Sequence, residues 1–165
     1  MDHVKKILAP TDLSTLSLGG LRYAFGLARS FGAEVIVYHV INRDEIMHFS
    51  EQLKRFGNPV AIGRHTESLI EESRDALSHF LQDNLGDLLP LVEVRTKVEI
   101  GLPYKNIVER ARDDGADLIV MSTHGRTGFS HVLLGSITEK VVRTAPCPVV
   151  SIRPEKERET PERKD

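Results

Sequence analysis

The run Glu34-Val35-Ile36-Val37-Tyr38-His39-Val40 is β-branched and nearly unbroken in its apolarity. A strand carries that pattern when both of its faces are covered, as inside a parallel sheet with helices on either side. The preceding residues supply its partners. Val4 to Ala9 is a second short apolar run, and Pro10-Thr11-Asp12 is expected to stop it because proline cannot continue a central ladder. Between the two runs, Leu18, Leu21, Ala24, Ala28 and Phe31 recur at three- and four-residue steps. That spacing predicts an amphipathic helix with Asp12 or Ser14 as N-cap and Gly32 as C-cap.

The alternation continues to the end of the chain. Residues 41 to 63 lack a clean period and carry Gly57, Pro59 and Gly63, so a loop or short irregular helix is expected there. From about His65 to Leu85, the set Leu69, Ile70, Ala76, Leu77, Phe80, Leu81 and Leu85 forms a helical face. Val92, Val94, Thr96, Val98 and Ile100 then alternate with Glu93, Arg95, Lys97 and Glu99, which predicts an edge strand with one wet face. Gly101-Leu102-Pro103 leads into a helix striped by Tyr104, Ile107, Val108 and Ala111, and Gly115 ends it. Asp117 to Met121 reads as the fourth strand, Ser136 to about Thr144 as a helix with Ile137, Val141 and Val142 inward, and Pro148 to Ile152 as the last strand. On right-handed crossovers this α/β order gives one open parallel sheet of five strands with helices on both faces. A ligand is then expected outside the carboxyl ends of the strands, where the winding direction reverses.

A chain of 165 residues, 40% hydrophobic and 28% charged, fits one domain, expected over residues 1–153. Residues 154–165 have almost nothing apolar to bury and are expected to form a disordered charged tail. Twenty-two basic and 24 acidic residues leave a net charge of −2, which favours neither nucleic acid nor an anionic membrane as a partner. The first residues lead into a short apolar run rather than a secretory signal, so a cytoplasmic location is expected. Cys147 is the only cysteine, which excludes an intrachain disulfide and a thiolate metal cluster. Between Pro146 and Pro148 it reads as a buried small hydrophobe. His48 and His65, with Asp44 and Glu51 nearby, read as surface residues rather than a metal site.

Two loops bring chemistry to the expected carboxyl edge of the sheet: Pro10-Thr11-Asp12, and Ser122-Thr123-His124-Gly125-Arg126-Thr127-Gly128 running on to Gly135-Ser136. Glycines let backbone amides approach an anion, and Gly135-Ser136 opens a helix whose free N–H groups favour phosphate. Asp12 could contact a ligand or cap the helix after it. His124 could be an acid–base group, a phosphate ligand or simply exposed, and Arg126 could pair with phosphate or be solvated. The glycine loop matches neither the Walker pattern nor the dinucleotide fingerprint.

It resembles instead the universal stress protein family, whose nucleotide-binding members carry Gly-x2-Gly-x9-Gly-Ser/Thr between the fourth strand and the last helix. The matching stretch is Ser122-x2-Gly125-x9-Gly135-Ser136, and the resemblance extends from Lys6-Ile7-Leu8-Ala9-Pro10-Thr11-Asp12 to Ala145-Pro146-Cys147-Pro148-Val149-Val150. It implies a flavodoxin- or Rossmann-like sheet of order 3-2-1-4-5 and an ATP site. Asp12 and Val40 would face adenine and ribose, and Met121 would line the base pocket. Gly125, Arg126, Gly135, Ser136 and Ile137 would surround the phosphates, with Pro10, Thr11, Ser122 and His124 completing the site. Mg²⁺ would bind mainly through phosphate oxygens. The resemblance further implies a homodimer paired through Val149 to Ile152 and a regulatory role in the stress response, with a protein partner that the residues do not identify. One position departs from the pattern: Ser122 stands where the family has its first glycine, and its Cβ could crowd the ribose or phosphates while its hydroxyl could hydrogen-bond. A pocket closed by Ser122 would leave a ligand-free dimerisation module. A slow ATPase would need Asp12 or His124 to position a water. Pro10-Thr11-Asp12-Leu13-Ser14 lacks the Ser-Gly-Gly and His-x-Gly-His signatures of phosphoryl- and nucleotidyl-transfer enzymes of similar architecture.

Overall fold

The computed structural model describes residues 4–44, 46–47, 61–123 and 135–153. Its strands are β1 (Lys6–Thr11), β2 (Glu34–Asn42), β3 (Val94–Gly101), β4 (Leu118–Ser122) and β5 (Val149–Ile152). Its longer helices are α1 (Leu18–Phe31), α2 (Ala61–Leu85), α3 (Pro103–Asp113) and α4 (Ser136–Thr144), with 3₁₀ turns at Thr15–Ser17 and Leu89–Leu91. All strand pairs are parallel, in the order β3-β2-β1-β4-β5. The expected five-stranded 3-2-1-4-5 sheet therefore forms, with β3 and β5 at its edges.

The unbroken apolarity of β2 follows from its position. Ile7, Ala9, Val35 and Val37 pack on one side of the sheet with Leu21 and Phe25 of α1 and Leu77, Leu81 and Leu85 of α2. Leu8, Ile36 and Tyr38 pack on the other with Ile107 and Val108 of α3 and Val141 of α4. Alternate residues of one strand thus serve two cores, and each fully buried large aliphatic side chain contributes about 2–3 kcal/mol. Gly32 ends α1 at φ 67°, a left-handed conformation in which a side chain would be strained.

Several sequence expectations are corrected. β1 does not stop at Pro10; it runs to Thr11, with Pro10 opposite Tyr38 of β2. The Lys6 carbonyl accepts the Asp117 amide on the β4 side, so even-numbered residues of β1 address β4. The ladder to β4 ends at the Leu8–Ile119 pair, and the missing amide of Pro10 forfeits no bond. The two strands part beyond that point, where the winding reverses. Ile41 and Asn42 belong to β2, paired with Ile100 and Gly101, rather than to a loop. α2 begins at Ala61, before His65, and Gly63 does not break it. The polar face of β3 is not simply wet, because Lys97 and Glu99 are partly covered by α3 and its end, where they meet Asp114 and Arg110. Phe31 is 41% exposed, and Phe25 takes the core position instead. Cys147 is half-buried rather than buried. In α4, Thr138 and Val141 point inward while Ile137 and Val142 are exposed. Among the described residues no helix is long and apolar enough to cross a membrane. Residues 48 to 60, with His48 and Glu51, and residues 154 to 165 lie outside the described residues, so the loop and the disordered tail expected there are not described.

Candidate functional site

The parting of β1 and β4 opens a cavity of about 400 Å³ at the carboxyl edge of the sheet, a volume in the range of small-molecule pockets. Each of its walls follows from local structure. On the β1 side, Pro10, Thr11 and Asp12 line it. The chain turns sharply there: Leu13 adopts φ 62°, uncommon for a branched side chain. Side chains hold the turn. The Thr11 hydroxyl accepts the Leu13 amide at 3.1 Å, and Asp12 Oδ1 accepts the Ser14 amide at 3.0 Å and the Ser14 hydroxyl at 2.6 Å. Ser17 Oγ donates to the Ser14 carbonyl at 2.7 Å and lies 2.8 Å from Thr11 Oγ1, so Thr11 is the donor of that pair. Neither Asp12 nor Ser14 caps α1 as expected; both help hold the turn.

The next wall is the end of β2, with Val40, Ile41 and Asn42. Buried His39 lies beneath them with Nδ1 at 2.9 Å from the Thr11 carbonyl. A carbonyl only accepts, so Nδ1 carries the proton and His39 ties the ends of β1 and β2 together. Tyr38 forms part of the floor, its phenol donating to Glu99 at 2.6 Å. Burial and the neighbouring Glu99 carboxylate push that phenol far above the ordinary tyrosine range.

The third wall is built by β4 and the start of α4. Met121, Ser122 and Thr123 line the cavity and are buried. The Gly135 amide donates to the Thr123 carbonyl at 2.7 Å, which brings the chain back to the strand it left at 123. Gly135 is then the N-cap residue of α4 and provides no side-chain cap. The first amides of α4 therefore lack intrahelical partners at the cavity wall formed by Gly135, Ser136, Ile137 and Thr138. The helix dipole adds partial positive charge at that end. Among the described lining residues, Asp12 is the only carboxylate and there is no lysine or arginine.

The structure thus assembles Pro10, Thr11, Asp12, Val40, Met121, Ser122, Gly135, Ser136 and Ile137 around one cavity. His124, Gly125 and Arg126 lie outside the described residues. Sequence reading missed His39, Asn42, Ser73 and Thr138, which also line it. His39 left a signal, a polar residue near the carboxyl end of a run otherwise almost wholly apolar. Ser73 left none, being a polar position on a helix that reaches the cavity only through tertiary packing.

The universal stress protein family model matches residues 3–153 of this chain. Universal stress protein MJ0531 of Methanocaldococcus jannaschii is 36% identical over 156 residues, covering 93% of this chain and 85% of that protein. The solved structure of protein MJ0577, whose sequence comes from the same organism, is 31% identical with a TM-score of 0.72, covering 93% of this chain and 99% of its own. A universal stress protein from Archaeoglobus fulgidus, solved in complex with dAMP, shares the fold at a TM-score of 0.59 and 20% identity over 92% of this chain and 99% of its own. With the sheet order, the cavity and these matches together, the chain belongs to the universal stress protein family.

Proposed function

We propose that this protein binds ATP in the cavity between β1 and β4 and acts as a dimeric regulatory module whose output is occupancy rather than turnover. The observation that carries this reading is the convergence of the α4 N-terminus, the fixed Asp12 turn and the apolar Met121 and Val40 on one cavity of nucleotide scale. In this reading the phosphates lie against Gly135, Ser136 and Ile137, where free amides and the helix dipole stabilise negative charge. The family resemblance adds Gly125, Arg126 and His124 to that end. Asp12 and Val40 take the ribose and adenine, with Met121 against the base and Pro10 and Thr11 beneath. The one carboxylate among the described lining residues is too small a donor set to hold a divalent cation by itself, so Mg²⁺ arrives on the phosphate oxygens. The dAMP complex of the Archaeoglobus protein supports the reading at the level of the fold, as a nucleotide occupying a member of the same family.

The dimer forms in this proposal through β5. Among the described residues that strand pairs only with β4, and no described strand covers its outer edge. Open edges are commonly covered by a second copy. A regulatory output asks only binding of the site, whereas turnover would further need Asp12 or His124 to position a water.

Calorimetric titration of the nucleotide-stripped protein with Mg-ATP, with Mg-GTP as the control, tests the site. Saturable, ATP-selective binding is expected. Absence of heat with Mg-ATP in a folded sample sinks the reading in favour of a ligand-free module. Light scattering coupled to size exclusion tests the dimer, expected at twice 18.5 kDa.

A further inference from the structure

Ser122 occupies the position where the family pattern has a glycine, and its surroundings give the substitution a use. Gly20, third residue of α1, has an amide that no residue within the helix can satisfy. Ser17, the N-cap residue, offers no side-chain cap because its hydroxyl is engaged by Ser14 and Thr11. The Gly20 amide instead donates to Ser122 Oγ at 3.0 Å, in a buried contact between residues 102 apart in sequence. The approach requires glycine at position 20: a Cβ there would lie 2.7 Å from the Ser122 nitrogen and 2.9 Å from the Met121 carbonyl carbon. Ser122 also serves the opposite wall, its carbonyl accepting the Thr138 hydroxyl of α4 at 3.0 Å.

We infer that Ser122 is a positioning residue that fastens the N-terminal ends of α1 and α4 to the end of β4. It thereby fixes the Asp12 turn relative to Gly135-Ser136 across the cavity. The hydroxyl holds α1, and α1 is tied through Ser17 to Thr11 and the turn that carries Asp12. The carbonyl holds α4 through Thr138. A glycine at 122 would keep the second connection and lose the first, leaving a buried amide at Gly20 without its Ser122 acceptor. The inference rests on the nucleotide reading only for its effect on binding; the coupling between the two walls stands independently.

Two variants and two measurements test it. Ser122→Ala keeps the Cβ and removes the acceptor, whereas Ser122→Gly removes both. Amide hydrogen exchange followed by NMR, well below the unfolding temperature, is expected to quicken at Gly20 in both variants. It should also quicken at Leu13 and Ser14, which a local helix cap alone would leave unchanged. Mg-ATP affinity is expected to fall by about three- to tenfold in both, the loss of one hydrogen bond that holds a binding group in place. Unchanged exchange at Leu13 and Ser14 overturns the coupling. Tighter Mg-ATP binding by Ser122→Gly than by the wild type also overturns the inference, since it would mean that the Cβ obstructs the site. If the wild-type protein binds no nucleotide, the functional reading falls alone and the exchange measurement still decides the role of Ser122.

Discussion

The Tyr38 phenol donates a 2.6 Å hydrogen bond to the Glu99 carboxylate, joining β2 to β3 directly beneath the cavity. Glu99 is also paired with Arg110 of α3, whose guanidinium sits 6.0 Å from the centre of the Tyr38 ring. The polar residues of β3 are thus used to seat α3 on a sheet edge. Burial first, and then Glu99, raise the Tyr38 pKa well beyond its ordinary value of about 10.

The sign of that shift yields an alkaline prediction. A phenol whose folded pKa is raised contributes stability that is fully present below about pH 10 and is lost as pH rises toward the folded value. Spectrophotometric titration at pH 11 is expected to show Tyr38 still protonated in the folded protein and ionised once urea unfolds it. Tyr38→Phe should lose about 1 kcal/mol at neutral pH, the net worth of one hydrogen bond. It should also abolish this part of the alkaline dependence in urea denaturation. A Tyr38 signal that ionises at the same pH in the folded and the urea-unfolded protein would refute it.

Asp114 supplies the acid counterpart. Burial alone would raise its pKa, but Lys97, at 2.9 and 3.0 Å from the two carboxylate oxygens, and then Arg110 outweigh burial and lower it. A depressed carboxylate contributes stability present above its unfolded pKa near 4, lost as pH falls through the lower folded value. Asp114→Asn should therefore flatten the acid limb of the stability curve and lower stability at pH 7. A variant with the wild-type acid limb would show that Asp114 does not carry it.

Gly135 has φ −64° and ψ 151°, an extended conformation that valine adopts readily. Gly135→Val should therefore still fold, with a slightly lower melting temperature because valine is a poorer N-cap than glycine. The branched side chain would stand where the phosphates are proposed to lie, so calorimetry should detect no Mg-ATP binding. Wild-type affinity in the folded variant would move the phosphate site elsewhere.

Cys147 is half-buried, and desolvation followed by the charge of Asp117 raises its thiol pKa. The thiolate is the reactive species. Alkylation by iodoacetamide at pH 8 is expected to be about tenfold slower in the native protein than in urea, following the smaller thiolate fraction and restricted access. Native and denatured rates that coincide would contradict this.

The elements were legible because their patterns are local. The double-sided apolarity of Val35 to Tyr38, the helical spacing of Leu21, Ala24 and Ala28, and the stop at Gly32 each need only near neighbours in sequence. Of the site, Asp12 and Gly135-Ser136 were legible for the same reason, as turn and helix-start residues at the ends of strands. Phe31 and Val142 were misjudged because periodicity marks a stripe without saying where the neighbouring element ends. Pro10 was misjudged because its cost depends on which partner strand the missing amide would have faced.

The sequence by itself determined the order of strands and helices, their parallel arrangement, and the sheet edge at which chemistry gathers. Those follow from side-chain periodicity and the handedness of crossovers, which act over one element and its connection. Only the tertiary structure decided what Ser122 does. Its hydroxyl meets an amide 102 residues away, and no pattern in the chain records that Ser17 was already engaged and that Gly20 had been left for β4 to satisfy. The same holds for Glu99, whose side chain reads as solvent-facing until α3 lays Arg110 across it. Hydrogen bonds between distant segments depend on which groups local structure has left unpaired, and that balance exists only once the chain has folded.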